Sequence, residues 1–250
     1  MARTSGSITP PSELLFGPGR ENDSALWETS TAVHVVLASQ WALYQILRRL
    51  KLRPDSLCGH SSGEFPALVA AGAIPEDDQL ECRFNELATM FARLEQSGVI
   101  PEARMIGVAA DRGRIEGFLH DWDGRVLVAV DNCPHQVVLV GTHEAIETIS
   151  ARVKSAHIAC EELPFSRAYH SPAFSSAIGP IQEFFEAIPI HPPRVPVYSC
   201  CIAGRFPEDP LGMRHLAIAQ WTRPVEFRRT VESMYADGIR VFVDVGGRGN

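Results

Sequence analysis

The chain has 250 residues, a formal net charge of −7, 45% hydrophobic residues and 21% charged residues. This length suits one α/β domain, or one domain that carries a smaller insert, and the composition is that of an ordinary soluble globular protein. The acidic balance and the lack of a basic block argue against nucleic acid as the main ligand. No apolar run approaches the roughly 18 residues of a membrane span, and the first residues lack the apolar core of a signal peptide.

Cysteine usage indicates the cellular compartment. The six cysteines are scattered, none forms a C-x-x-C pair, and the adjacent Cys200 and Cys201 are not a usual disulfide pair. Such a distribution is typical of reduced thiols in a cytosolic protein. We therefore expect a cytoplasmic protein with neither disulfides nor a metal site.

The first predicted elements belong to one larger unit. Residues 1–24 are rich in Ser, Pro and Gly without a clear period, and we interpret them as a mobile arm or a truncated edge. Helical spacing follows over residues 25–50, where Leu43, Ile46 and Leu50 widen the apolar face, so this helix is predicted to be well buried. The next predicted elements are a strand at 56–58, a helix to about 71 and a helix at 76–96.

A different pattern covers residues 104–165. The predicted order is strand, helix, strand, strand, helix, strand, which is the order of a ferredoxin-like unit. These elements fall at residues 105–110, 114–122, 126–130, 137–140, 144–155 and 157–163. The chain then returns to the larger unit, with a helix predicted at 172–187, a strand at 195–200, a helix at 225–237 and a last buried strand at 239–245.

One short motif carries the strongest chemical signal. The run from Ser56 to Phe65 places Ser61 inside Gly-x-Ser-x-Gly, after an apolar approach and before a helical pattern. Such a sequence predicts a nucleophile elbow, in which the serine lies on a tight strand-to-helix turn and the glycines let the backbone pass close by. The following helix points backbone N–H groups at any anion that forms there. Ser61 also needs a base, because a serine hydroxyl is a weak nucleophile at neutral pH.

The fuller string Gly59-His60-Ser61-Ser62-Gly63-Glu64 resembles the Gly-His-Ser-x-Gly-Glu motif of a family of acyltransferases. These enzymes load malonyl-type units onto acyl carrier proteins, either as free transacylases or as domains of polyketide and fatty-acid synthases. The resemblance runs from about Leu26 to Asn250. It implies an α/β-hydrolase-like parallel-sheet core with an inserted ferredoxin-like subdomain. We expect residues 1–103 and 166–250 to form the large catalytic subdomain and residues 104–165 the small one.

The resemblance also implies a catalytic pair. Ser61 is the candidate nucleophile, and His170 is the candidate base because it follows the small subdomain and precedes a helix, as the family's histidine does. His60 is the rival base, but on an elbow the side chain next to the nucleophile points away. We therefore interpret His60 as a structural or pocket-lining residue. The backbone N–H of Ser62 is the evident donor to an oxyanion.

Three further residues are candidates for binding substrate or supporting the pair. Arg83 offers the planar fork that grips a carboxylate, and the family has an arginine on this helix for the malonyl carboxylate. The family's arginine lies about one turn further on, where this chain has Glu86, so a structural arginine and an uncharged acyl unit stay open. Gln220 aligns with a family residue near the histidine, where a carbonyl accepts from the ring; a surface glutamine is the alternative. Tyr169 precedes His170, and in the family a bulky aromatic there accompanies malonyl.

The resemblance implies ping-pong acyl transfer without a bound cofactor. Ser61 would attack the thioester of malonyl-CoA, and the phosphopantetheine thiol of an acyl carrier protein would then take the acyl group. Neighbouring domains of a multidomain synthase are further expected partners. Two alternatives stay open: a serine thioesterase or esterase, and a non-catalytic domain that docks a carrier protein. The second alternative is motivated by the lack of the family's N-terminal Gly-Gln-Gly-Ser loop, for which residues 15–19 are a poor substitute. We therefore expect a fragment cut at both sides or a degenerate copy.

Overall fold

A computed structural model describes residues 29–246, with side chains from residue 33 onward. It is a mixed α/β structure with two separate sheets. The arm predicted at residues 1–24 and the beginning of the first predicted helix lie outside the described residues. No helix of the described part of the chain is long and apolar enough to cross a membrane.

The elements follow the predicted order through Ser199, after which come a strand at Gly204–Arg205 and a helix at Pro210–Ala219 that are not predicted from the sequence. The helices are α1 (Thr29–Arg49), α2 (Glu64–Ala70), α3 (Leu80–Gln96), α4 (Arg112–Leu119), α5 (His143–Ser155), α6 (Ile178–Ala187), α7 (Pro210–Ala219) and α8 (Phe227–Ala236). The strands are β1 (Leu57–Gly59), β2 (Arg104–Val108), β3 (Val126–Cys133), β4 (Gln136–Gly141), β5 (Cys160–Glu162), β6 (Val197–Ser199) and β7 (Gly204–Arg205). Short 3₁₀ turns lie at Ser61–Gly63, Pro172–Ala177 and Gln220–Thr222.

The smaller sheet carries the elbow. Its order is β1-β6-β7, with β1 and β6 parallel and β6 and β7 antiparallel. Gly59 at the end of β1 is paired with Ser199 at the end of β6. Because the strands are parallel, the turn that follows β1 lies beside the residues that follow β6. The main hydrophobic cluster packs around this sheet through side chains of the surrounding helices, among them Leu37, Phe65, Leu87, Phe91, Ile181 and Met213.

The larger sheet is antiparallel and buries both of its faces. Its order is β3-β4-β2-β5, and alternate residues of each strand point to opposite sides. Val137 and Leu139 of β4 pack in the cluster formed with α4 and α5. Val138 and Val140 of the same strand pack in another cluster, which includes Val225 before α8. Burial on both faces explains why β4 is a continuous apolar run.

The last predicted strand, residues 239–245, is wrong. These residues are irregular and exposed, with Val241, Phe242 and Val243 retaining 80%, 44% and 59% of their accessible surface. The alternating apolar residues are typical of a strand, but a strand forms only when another strand pairs with it. Among the described residues, no strand pairs with this segment, and β1 pairs with β6 alone.

The prediction that the first helix is well buried is also wrong. Helix α1 contacts its neighbours through Val33 and Leu37, which are 8% and 0% exposed. The residues that widen its apolar face remain open, since Leu43, Ile46 and Leu50 are 41%, 52% and 67% exposed. A single layer of neighbours, here mainly α3, covers one stripe of a helix and leaves the opposite side in solvent.

Candidate active site

The turn after β1 has the geometry of a nucleophile elbow. Ser61 has a φ of 55°, in the left-handed region that costs a non-glycine residue about 1–3 kcal/mol. A Cβ atom on Gly59 would lie 2.2 Å from the backbone nitrogen of Glu64 and from the carbonyl of Gly63. The turn therefore requires glycine at position 59. It also keeps Ser61 in a conformation that a serine adopts only when the surrounding structure imposes it.

The structure brings Ser61 and His170 together. The Ser61 Oγ atom lies 2.6 Å from Nε2 of His170, and Nδ1 of the same ring lies 3.1 Å from the backbone carbonyl of Gln220. A carbonyl only accepts, so Nδ1 carries the proton and Nε2 is left to accept the hydroxyl proton of Ser61. The His170 ring also stacks on Trp221 at 6.0 Å with an interplanar angle of 13°. These contacts fix both the tautomer and the orientation of the imidazole.

The surroundings of His170 keep it neutral. The residue is 5% exposed, and burial lowers the pKa of its imidazole from 6.5 to about 4. The Gln220 carbonyl opposes this shift, whereas the nearby His60 ring adds to it. At neutral pH the ring is therefore unprotonated, which is the form that can take a proton from Ser61.

His60 faces the larger sheet. Its Nε2 atom lies 2.8 Å from Oδ1 of Asn132 on β3, and the Asn132 amide group donates in turn to Gln136 at 2.9 Å. Since Oδ1 accepts, Nε2 of His60 is the donor. The His60 ring also packs edge-on against Phe227 at 5.3 Å. The hydrogen bond therefore engages the His60 ring with Asn132 on the larger sheet.

Arg83 is engaged with a partner that the sequence does not reveal. Its guanidinium donates to both carboxylate oxygens of Asp77, at 2.8 and 3.1 Å, and to the Pro75 carbonyl at 3.0 Å. This pairing lowers the pKa of the Asp77 carboxyl. The Arg83 guanidinium is thus already paired with groups of the same chain. Glu86, one turn along α3, is exposed. Asp77 lies in a loop with two other acidic residues, Glu76 and Asp78. The sequence therefore does not show which of them pairs with Arg83.

The other predicted residues take different places. Tyr169 is buried, donates through its hydroxyl to Glu95 at 2.8 Å and packs against the Phe174 ring at 5.5 Å. Gln220 meets His170 through its backbone carbonyl, whereas its side-chain amide donates to Ala217 at 3.4 Å. Ser62 lies in the 3₁₀ turn directly before α2. Among residues 29–246, no group of three or more His, Cys, Asp or Glu side chains could hold a metal ion.

A serine activated by a buried neutral histidine on an elbow is machinery for acyl transfer or hydrolysis. The family model described as the acyl transferase domain matches residues 19–247. The chain belongs to the acyl transferase domain family. Family membership makes it an acyltransferase, and the elbow serine and its histidine lie within the matched region.

This chain matches very different shares of its individual relatives. The malonyl CoA-acyl carrier protein transacylase of Bacillus subtilis is 27% identical over 241 residues, which are 95% of this chain and 74% of that protein. Hispidin synthase of Neonothopanus nambi is 27% identical over 217 residues, which are 84% of this chain and 13% of that protein. The crystal structure of FabD from Acinetobacter baumannii superposes with a TM-score of 0.80 at 26% identity, covering 94% of this chain and 76% of that one.

This acyltransferase domain thus spans a small part of several large relatives. It corresponds to 13% of the hispidin synthase, 11% of a polyketide synthase of Streptomyces orinoci and 3% of one of Streptomyces halstedii.

Proposed function

We propose that this domain moves a malonyl-type acyl group from CoA to the phosphopantetheine thiol of an acyl carrier protein, in polyketide or fatty-acid synthesis. The observation that carries the proposal is the 2.6 Å contact between Ser61 Oγ and His170 Nε2 in a chain of the acyl transferase domain family. Relatives named as malonyl CoA-acyl carrier protein transacylases and as polyketide synthases support the substrate and the carrier protein as partner.

The reaction runs in two half-reactions that use one base. Nε2 of His170 takes the hydroxyl proton while Ser61 Oγ attacks the thioester carbon, and the N–H of Ser62 stabilises the oxyanion. Collapse of this intermediate breaks the carbon–sulfur bond, and the CoA thiolate leaves with the proton from His170. The carrier thiol then gives its proton to His170 and attacks the acyl ester. The carbon–oxygen bond to Ser61 then breaks, His170 returns the proton to Ser61 Oγ, and the enzyme is restored.

The architecture proposed for this chemistry is an α/β-hydrolase-like core, residues 1–103 and 166–250, with a ferredoxin-like subdomain inserted at residues 104–165. The parallel pairing of β1 with β6, with the elbow directly after β1, supports the first part. The order of elements from β2 to β5, in a sheet ordered β3-β4-β2-β5, supports the second. Neighbouring synthase domains would be partners if this chain works inside a larger synthase.

The nature of the acyl unit depends on Arg83. A malonyl carboxylate could bind this guanidinium only by displacing Asp77 from it. The existing pair therefore favours a second candidate function, transfer of an uncharged acyl unit, in which Arg83 has only a structural role. The buried Tyr169 before His170 supports malonyl through the resemblance to the family alone.

Intact-mass measurement of acyl-Ser61 after incubation with malonyl-CoA or acetyl-CoA tests the proposal. We expect the protein to gain one acyl group and Ser61→Ala to gain none.

If Arg83 binds the carboxylate, Arg83→Ala should lose roughly ten- to a hundredfold in malonyl labelling, the value of a charge-assisted bond, and keep acetyl labelling. Asp77→Ala should then raise malonyl labelling, because it frees the guanidinium. An equal loss on both substrates would assign Arg83 to the structure.

A carrier-protein titration separates the transferase from the thioesterase or esterase. The transferase should leave acyl-Ser61 stable until the carrier thiol is added, and the carrier should then gain the acyl mass. A hydrolase would release the free acid at the same rate with and without carrier protein. A domain that only docks a carrier protein would show no acyl-Ser61 at all.

A further inference from the structure

Glu64 is a buried carboxyl group that the acyl-transfer steps do not use. It is the first residue of α2, directly after the elbow turn, and it is 1% exposed. Its Oε1 atom accepts hydrogen bonds from the Ser199 hydroxyl and from the Cys200 N–H, both at 2.8 Å. Its Oε2 atom is buried without a hydrogen-bond partner among the described residues.

The bonds of Glu64 belong to a clamp around the elbow, formed by Gly59, Glu64, Ser199 and Cys200. The Cys200 thiol donates to the Gly59 carbonyl at 3.1 Å, so one residue after β6 bonds both sides of the turn. Gly59 precedes Ser61 and Glu64 follows it, which means that both flanks of the strained serine are tied to adjacent residues. The clamp therefore limits where Ser61 Oγ can lie relative to His170.

Among the described residues, no positive charge contributes to the pKa of Glu64, and the nearby Arg223 guanidinium bonds the Cys201 thiol instead. The ionisable groups that interact with Glu64 are the thiols of Cys58, Cys200 and Cys201. Burial raises the pKa of the Cys58 and Cys201 thiols to about 11 and that of Cys200 further, so all three are neutral. An unpaired carboxylate in such a place is strongly disfavoured, since part of its charge would fall on the unpartnered Oε2.

The neutral acid fits the two bonds at Oε1 and places its proton on Oε2, where an unpartnered neutral hydroxyl costs less than an unpartnered charge. The carbonyl oxygen of a protonated carboxyl group keeps two lone pairs, which match the two donors at Oε1. Burial raises the pKa of Glu64 from 4.5 to about 8, against the opposing effect of the Ser199 and backbone donors. The group is therefore largely protonated at neutral pH.

We propose that Glu64 is a positioning residue for Ser61, and that it ties the elbow to the end of β6 as a neutral carboxylic acid. Loss of its proton at alkaline pH places an unpaired charge in the clamp, loosens the turn and moves Ser61 Oγ away from His170. The inference rests on the proposed role of Ser61 as nucleophile.

The first test is the pH dependence of Ser61 labelling, with malonyl-CoA and with a fluorophosphonate, which reacts with activated serines without acyl-CoA recognition. The rate should be constant up to about pH 7, fall to half at the pKa of Glu64, about 8, and be roughly tenfold lower one pH unit above it. Glu64→Gln keeps the acceptor and removes the titration, so its rate should stay flat, whereas Glu64→Ala should be slow at every pH. The exposed Glu183→Gln is the matched control and should follow the unchanged protein.

The second test keeps the inference open to refutation if Glu64→Gln does not fold. Ser199→Ala removes a donor that favours the charged carboxylate, so the alkaline loss of rate should move to higher pH. Three results would overturn the inference. The alkaline loss of labelling rate could stay at the same pH in Ser199→Ala, it could be the same in Glu64→Gln as in the unchanged protein, or Glu64→Ala could label Ser61 at an unimpaired rate. Fluorophosphonate labelling with the expected pH pattern but no acylation by acyl-CoA would reject the proposed function alone.

Stability gives a readout that does not involve Ser61. The folded protein keeps a proton on Glu64 that the unfolded chain releases between pH 4.5 and about 8, so unfolding becomes easier as pH rises through that window. Glu64→Gln lacks this linkage. The melting temperature of Glu64→Gln minus that of the unchanged protein should therefore increase from pH 4.5 to about 8 and stay constant above. A difference that does not change with pH would contradict a raised pKa of Glu64.

Discussion

Ser61 and His170 share an unusual backbone conformation. Both have a φ of 55°, and they are two of the six non-glycine residues with positive φ in the described part of the chain. Such strain persists only where neighbouring bonds impose it, and it concentrates at functional sites. Here the His170 N–H donates to Trp221, and the turn after Ser61 closes through Gly63 N–H and the His60 carbonyl. The two reacting atoms are thus held 2.6 Å apart by the fold of the chain.

The low pKa of His170 gives the first prediction. Acylation of Ser61 should proceed at the same rate between pH 6 and 7, because the imidazole is neutral throughout that range and protonates only as the pH falls toward 4. An imidazole with its ordinary pKa of 6.5 would halve the rate near that pH. The measurement is the single-turnover rate of acyl-Ser61 formation from pH 4.5 to 8. His170→Ala is the control and should be slow throughout, and a midpoint near 6.5 would show that His170 is solvated during the reaction.

The elbow is the element that depends most on one small residue. Gly59→Ala would place a methyl group 2.2 Å from backbone atoms of Gly63 and Glu64, and backbone cannot move aside without opening the turn. We expect this variant to unfold at lower temperature and to lose acylation of Ser61. The control is Gly117→Ala in α4, where a Cβ meets nothing within 4 Å and should stabilise the helix by about 0.5–1 kcal/mol. Similar thermal stability and activity for both variants would contradict the geometry of the turn.

Element positions could be predicted where the determining interactions are local. The turn at Gly59 to Gly63 and the helix after it follow from steric and propensity rules that act within a few residues, and both are present. The order of elements from β2 to β5 could likewise be read from apolar periodicity. Residues 239–245 have equally good strand periodicity, yet pairing depends on a second segment distant in sequence, which periodicity does not encode.

For the site residues too, what depends on distant parts of the chain could not be predicted from local sequence. Proximity of Ser61 and His170 could be predicted only through the resemblance to a family, because 109 positions separate them in the chain. The partner of Arg83 was missed, since side-chain pairing between a loop aspartate and a helix arginine leaves no pattern in the sequence. Glu64 stands inside the motif, but its bonds to Ser199 and Cys200 cross from α2 to the end of β6 and appear only in three dimensions.

At the scale of the whole molecule, the two sheets meet along β3 and α8. The Asp131 N–H donates to the Val225 carbonyl, and the Asp131 carboxylate accepts three bonds from the Arg228 guanidinium at 2.9 to 3.2 Å. The neighbouring Asn132 accepts from His60, the residue before Ser61. The interface between the two sheets therefore reaches the elbow directly, and its integrity affects where the nucleophile lies.

Arg228→Ala should be far more damaging than its partial exposure suggests. Asp131 is 0% exposed, so loss of the guanidinium leaves a buried carboxylate unpaired, which costs about 3 kcal/mol in the free energy of unfolding. Arg104→Ala, which breaks an exposed pair with Glu162, is the matched control and should cost less than about 1 kcal/mol. Adding Asp131→Asn to Arg228→Ala should recover part of the loss, because no charge is then left in the interface. Urea unfolding of these three variants and of the unchanged protein measures the differences. Equal losses for Arg228→Ala and Arg104→Ala would mean that solvent reaches Asp131 and that the two sheets are joined mainly by their apolar contacts.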